Sequence, residues 1–134
     1  MKDAVDVVID FEKISLSPEQ FCKEYLECIS GKDFENIENI EEIKNELEKR
    51  KIDHEKILRL TFSYPGKLGK KISLGLDEFW KMTELNNFKQ IKDVMGLFKE
   101  EISKQKDVNY VLTGSAINLS KEINGRLGFR EEEM

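Results

Sequence analysis

Lys71-Ile72-Ser73-Leu74-Gly75-Leu76-Asp77-Glu78-Phe79-Trp80 is the stretch on which the fold turns. A mostly apolar run stops at two adjacent carboxylates and continues into two aromatics. A short apolar run bounded by a Gly- and Lys-rich segment reads as a buried strand. A buried strand that ends in acids points to a parallel sheet, because open α/β sheets bind ligands outside the carboxyl ends of their strands. Residues 72–76 are therefore expected as a strand that delivers Asp77 and Glu78 at its tip.

Working upstream, Val5-Asp6-Val7-Val8-Ile9-Asp10-Phe11 is rich in β-branched residues and reads as another strand. A marked helix start follows. Ser17 stands at the cap, Pro18 suits the first helical position, and Gln20 completes a Ser-x-x-Gln capping box. Leu16 and Phe21 occupy hydrophobic-staple positions. Phe21, Cys22, Tyr25, Leu26 and Ile29 line one face, and Gly31 closes the helix. Residues 33–39 form a polar connection. Ile37, Ile40, Ile43 and Leu47 recur at helical spacing, which predicts a more exposed second helix to about Lys51. Residues 52–62 fit a helix or a strand, and the helical reading is preferred. Tyr64-Pro65-Gly66 ends that segment, and residues 65–70 form a loop.

Downstream of the decisive stretch, Phe88, Ile91, Val94, Met95, Phe98 and Ile102 mark an amphipathic helix of about twenty residues. Val108-Asn109-Tyr110-Val111-Leu112 is the next strand, ending in Thr113-Gly114-Ser115. A short helix over 116–123 and a polar, loosely held tail over 124–134 complete the chain. Strands separated by helical crossovers call for a parallel sheet, so the expected fold is α/β with a small three-stranded parallel sheet flanked by helices.

A chain of 134 residues is expected to form one domain with a core of its own. Charged residues make up 37% and apolar residues 39%, yet eight Phe, three Tyr and one Trp argue against disorder. The net charge of −5 argues against a nucleic-acid surface. Lys49-Arg50-Lys51 and the lysines of residues 67–71 read as a solvated helix end and a solvated loop. Cys22 and Cys28 have neither redox nor zinc-knuckle spacing and fall on the first helix, which fits a reducing, cytoplasmic compartment. No leader and no run of about eighteen apolar residues is present, so neither secretion nor a membrane span is expected. His54, the only histidine, sits among charges and reads as a surface residue. With no suitable cysteine pair, a structural zinc site has no ligand set.

Side chains of neighbouring strand residues point to opposite faces. Asp77 and Glu78 can therefore take separate roles only where the strand ends and the backbone turns. In nucleotide hydrolysis one carboxylate holds Mg²⁺ through water, and the next orients or deprotonates the attacking water. Asp-Glu is also favourable charge at a helix start. Thr113-Gly114-Ser115 ends the following strand at the same edge, where a hydroxyl can reach a γ-phosphate or the water. A plain turn, with Gly114 permissive and Ser115 as N-cap, accounts for the same residues. Asp10 reads as a loop cap, and Phe79 and Trp80 as packing residues.

In order, Leu74-Gly75-Leu76-Asp77-Glu78-Phe79, a helical stretch, and Tyr110-Val111-Leu112-Thr113-Gly114-Ser115 resemble the prokaryotic, mainly archaeal, ATPase family of the AAA/STAND group of P-loop NTPases. Val8-Ile9-Asp10-Phe11-Glu12-Lys13-Ile14, with Ser17-Pro18-Glu19-Gln20-Phe21, resembles the strand and helix that follow the Walker A unit there. Gly125-Arg126 is similar to a Gly-Arg pair beyond the family's sensor strand. The resemblance covers residues 5–119. It implies that Asp77 is the Walker B acid holding Mg²⁺, that Glu78 is the catalytic acid, and that Thr113 or Ser115 is the sensor. ATP and Mg²⁺ are the implied ligands.

The chain departs from the family where the phosphates should sit. No Gly-x-x-x-x-Gly-Lys-Ser/Thr run occurs, and Gly66-Lys67-Leu68-Gly69-Lys70-Lys71 has the wrong spacing and precedes a strand. A helical lid has no counterpart either. The resemblance thus implies one incomplete ATPase-like domain over 1–134, with nucleotide affinity cut by several kcal/mol. Turnover is expected only when a Walker A unit completes it. The family's first strand would lie beside the sensor strand, so the expected order is first, Asp-Glu and sensor strand. Val108–Leu112 is then an open edge, expected to pair with a second copy or a partner chain. Three readings follow: an ATPase-type domain, a non-catalytic interaction or regulatory module, and a different Mg²⁺ enzyme using Asp77, Glu78 and Asp10.

Overall fold

Three short parallel strands rich in branched apolar residues pair side by side in chain order. The computed structural model describes residues 5–114, and they contain β1 (Val7–Asp10), β2 (Ile72–Asp77) and β3 (Val108–Leu112). The register sets Val7 beside Leu74 and Leu74 beside Tyr110, so Asp10 and Asp77 end level with one another. The helices are α1 (Pro18–Ser30), α2 (Glu41–Leu47), α3 (His54–Ser63) and α4 (Val94–Ile102). Short 3-10 turns cover Phe34–Asn36, Tyr64–Lys67 and Phe79–Asn87. The α/β class, the three strands and their order are as the sequence led us to expect.

Strand alternation sorts the sheet into two unlike faces. Ile9, Ile72, Leu74, Leu76, Tyr110 and Leu112 point to one face and are buried. The helices stack there through a chain of rings that joins Phe11, Phe21 and Tyr25 to Phe62, Phe98 and Tyr110. Offset and edge-on ring pairs of this kind add about 1 kcal/mol each beyond their buried area. Val8, Ser73, Gly75, Asn109 and Val111 point to the other face, where Val8 is 63% exposed. Parallel sheets are normally covered on both faces. Among the described residues this one is covered on one.

Several local expectations are corrected. Ser17 stands at the N-cap of α1 with Pro18 behind it, but its side chain makes no capping bond. Gln20 turns instead to Glu24, 3.0 Å away, while Ser17 meets the Ser15 hydroxyl, so no capping box forms. Gly31 does close α1, at φ 72°. The second helix is shorter than its periodicity suggested, because Asn39 adopts φ 65° and α2 starts only at Glu41. Residues 52–62 are helical, as preferred, with the Asp53 side chain capping α3.

The expected helix of about twenty residues is replaced by the 3-10 turn Phe79–Asn87, a loop, and the nine-residue α4. Asn86 accepts the Val94 N–H and Asp93 accepts that of Gly96, so the side chains that start α4 also cut it from what precedes. Ile91 is buried from the loop and not from a helix face. His54 is half-buried where α3 meets α1, with Nε2 3.3 Å from Glu19. Cys22 is buried and its thiol is pushed up to about 12 by burial, whereas Cys28 is exposed. Among the described residues no helix is long and apolar enough to cross a membrane.

Candidate functional site

The carboxyl ends of β2 and β3 are tied to each other just past their last paired residues. Thr113 donates its backbone N–H to the Leu76 carbonyl at 3.1 Å, and its own carbonyl accepts the Phe79 N–H at 3.2 Å. The hydroxyl of Thr113 donates to Asp77 Oδ1 at 2.8 Å. The same oxygen accepts the Glu78 N–H at 3.0 Å. One carboxylate oxygen of Asp77 is thereby fixed by two donors, while Oδ2 takes no hydrogen bond among the described residues. Donation to an ionised carboxylate is stronger than a neutral hydrogen bond, so this junction is stiff.

Phe79 explains the turn at Glu78. Its ring is fully buried, 6.2 Å from Phe11 and 5.4 Å from Phe98. The chain must therefore dive into the core one residue after Glu78. The backbone does so by placing Glu78 in the left-handed region, φ 54° and ψ 42°. A residue other than glycine held there costs about 1–3 kcal/mol, and such strain gathers at functional sites. Gly114 faces this turn closely, since a Cβ on it would lie 3.3 Å from both Glu78 Cα and Trp80 Cδ1. The Glu78 carboxylate accepts the Trp80 indole N–H at 2.8 Å.

Of the residues singled out in the sequence, Asp77, Glu78 and Thr113 meet at one half-buried edge. Ser115 and the helix over 116–123 lie outside the described residues, as do the tail and the Gly125-Arg126 pair. Asp10 ends β1 level with Asp77, but its Oδ1 accepts the Glu12 N–H at 2.9 Å, the loop-cap role. Among the described residues no group of three or more His, Cys, Asp or Glu is placed to hold a metal ion. Sequence reading gives Trp80 as a packing residue and misses its hydrogen bond to Glu78. The only signal was a polar-edged aromatic two positions after an acid.

The remaining charged features lie elsewhere. The glycines of residues 66–71 lead into the start of β2, the sheet end opposite Asp77. A shallow cleft of about 440 Å³ at that end mixes Asp6 and Asp107 with Lys71 and Lys106. Glu46, buried between α2 and α3, accepts the Asp53 N–H at 2.9 Å and pairs with Lys49 at 2.9 Å. The Asp53 N–H, then Lys49, hold its carboxyl down to about 2.

No family model, curated protein or solved structure matches the chain.

Proposed function

We propose that the β2–β3 edge is the magnesium-and-water half of a nucleoside triphosphate site, in a domain of the ATP-binding, ATPase type. The observation that carries this reading is the 2.8 Å bond from Thr113 to Asp77 across neighbouring strand tips, with Glu78 as the next residue. Asp77 keeps one oxygen locked and the other available to a hydrated cation. Glu78, on a turned backbone, faces separate work as the acid that orders or deprotonates water. Mg²⁺-ATP, when bound, supplies the phosphoryl group and neutralises its developing charge. No phosphate cradle stands beside this edge among the described residues. Turnover therefore depends on a Gly-rich loop supplied from elsewhere, and affinity without it is modest. Saturable binding of Mg²⁺-ATP at about 1 mM or below supports the reading. Binding of Mg²⁺ with no response to nucleotide would favour another kind of metal enzyme.

A second reading is favoured by the sheet face of Val8 and Val111, which no helix covers among the described residues and on which Val8 is exposed. On it, the three strands are a docking layer and the chain is a non-catalytic interaction or regulatory module. Absence of any nucleotide binding at about 1 mM, with concentration-dependent association, selects this alternative.

A further inference from the structure

Trp80 is the sole tryptophan of the chain, and it is neither buried nor loose. Its indole Nε1–H donates to Glu78 Oε1 at 2.8 Å. Its carbonyl accepts the Thr83 hydroxyl at 2.8 Å, and the Lys81 ammonium lies 5.1 Å from its ring centroid. Its Cδ1 edge lies against Gly114, where even a methyl group would stand 3.3 Å away. The Lys81 N–H closes the same turn on the Glu78 carbonyl at 3.0 Å. An aromatic retained only for packing would turn its face into the core, as Phe79 does next to it. Trp80 stays half-exposed and gives its one donor to the acid.

We propose that Trp80 is a positioning residue for Glu78. The indole holds the Glu78 carboxylate as an oriented acceptor at the β2–β3 tip, and loading the edge with Mg²⁺-ATP is transmitted to the indole through that hydrogen bond. The left-handed backbone at Glu78 is what makes the contact reachable. It aims the acid back over its own turn, and burial of Phe79 keeps the turn from relaxing. Gly114 completes the device by leaving room for the indole between the two strand tips. The inference rests on the reading of Glu78 as the water-ordering acid, and its test separates the two claims.

The single tryptophan gives a single indole ¹H–¹⁵N signal, which reports the contact without any catalysed reaction. That signal is recorded in the wild type, Glu78→Gln and Glu78→Ala, each with and without Mg²⁺-ATP, while calorimetry measures nucleotide binding separately. The wild-type signal is expected downfield of Glu78→Ala. Glu78→Gln, which keeps an acceptor oxygen, is expected nearer the wild type. Mg²⁺-ATP is expected to move the wild-type signal and leave that of Glu78→Ala in place. Coincident wild-type and Glu78→Ala signals overturn the proposal and leave the nucleotide reading intact. Separated signals that stay fixed while calorimetry detects binding also overturn it, since the contact is then only structural. Absence of binding by calorimetry removes the nucleotide reading, and the positioning role falls with it.

Discussion

Tyr25 buries its hydroxyl completely among Phe11, Phe21 and Phe62, where no described residue accepts a hydrogen bond from it. Burial accordingly pushes its phenol well above the ordinary value. An unpartnered buried hydroxyl is a cost, so Tyr25→Phe is expected to raise stability by about 1 kcal/mol in urea unfolding. A loss of that size instead would mean that the hydroxyl has a partner. Glu46 differs: it is a buried carboxylate whose Oε2 accepts the Asp53 N–H and whose Oε1 lies 2.9 Å from the Lys49 ammonium. Its folded value of about 2 lies below the ordinary 4.5, so the fold favours the ionised form. Its contribution is full above the ordinary carboxylate value and is lost as pH falls towards about 2. Glu46→Gln should therefore lower the urea midpoint at neutral pH, and the gap from wild type should close in acid. Glu78 tests backbone strain directly. Glu78→Gly is expected to be about 1 kcal/mol more stable than Glu78→Ala, because both lose the carboxylate and only glycine is at ease at φ 54°. That strain was not legible in the sequence. Nothing in a glutamate after an apolar run signals a left-handed turn, and the Trp80 contact depends on it.

At the level of elements, the pairing of β2 and β3 was legible and the helix boundaries were not. The strands announced themselves because short apolar runs separated by helical spacers have few alternatives to parallel pairing. Their carboxyl ends then had to lie at one edge, which is why Asp77 and Thr113 could be matched in advance. Helix lengths depended on side chains that compete for backbone groups. Asn86 and Asp93 ended one apolar periodicity and began another, and before α2 the backbone of Asn39 turned left-handed. Ser17 and Gln20 carried the pattern of a capping box, but Ser15 and Glu24 took their hydrogen bonds. The tie between strand tips can be weighed by substitution. Thr113→Val removes a donor to a half-buried charge and is expected to cost about 1.5 kcal/mol, with Thr113→Ser recovering most of it. Equal stability of the two variants would show that the hydroxyl does nothing for the junction.

For the molecule as a whole, the interaction reading turns on one feature: among the described residues, the parallel sheet carries helices on a single face. Val8, 63% exposed, stands on the open side of the outer strand β1, and β3 forms the other outer strand. Uncovered parallel strands invite pairing or coverage by another chain. Sedimentation at tens of micromolar is expected to show concentration-dependent association, and Val8→Lys to weaken it without unfolding the chain. A monodisperse monomer under those conditions contradicts that expectation. The nucleotide reading is decided at the carboxyl edge of the same sheet, by calorimetric titration of Mg²⁺-ATP into the wild type and Asp77→Asn. Saturable binding to the wild type is expected at about 1 mM or tighter, and its loss in Asp77→Asn. Equal binding by both proteins, or none by the wild type at that concentration, would contradict the reading.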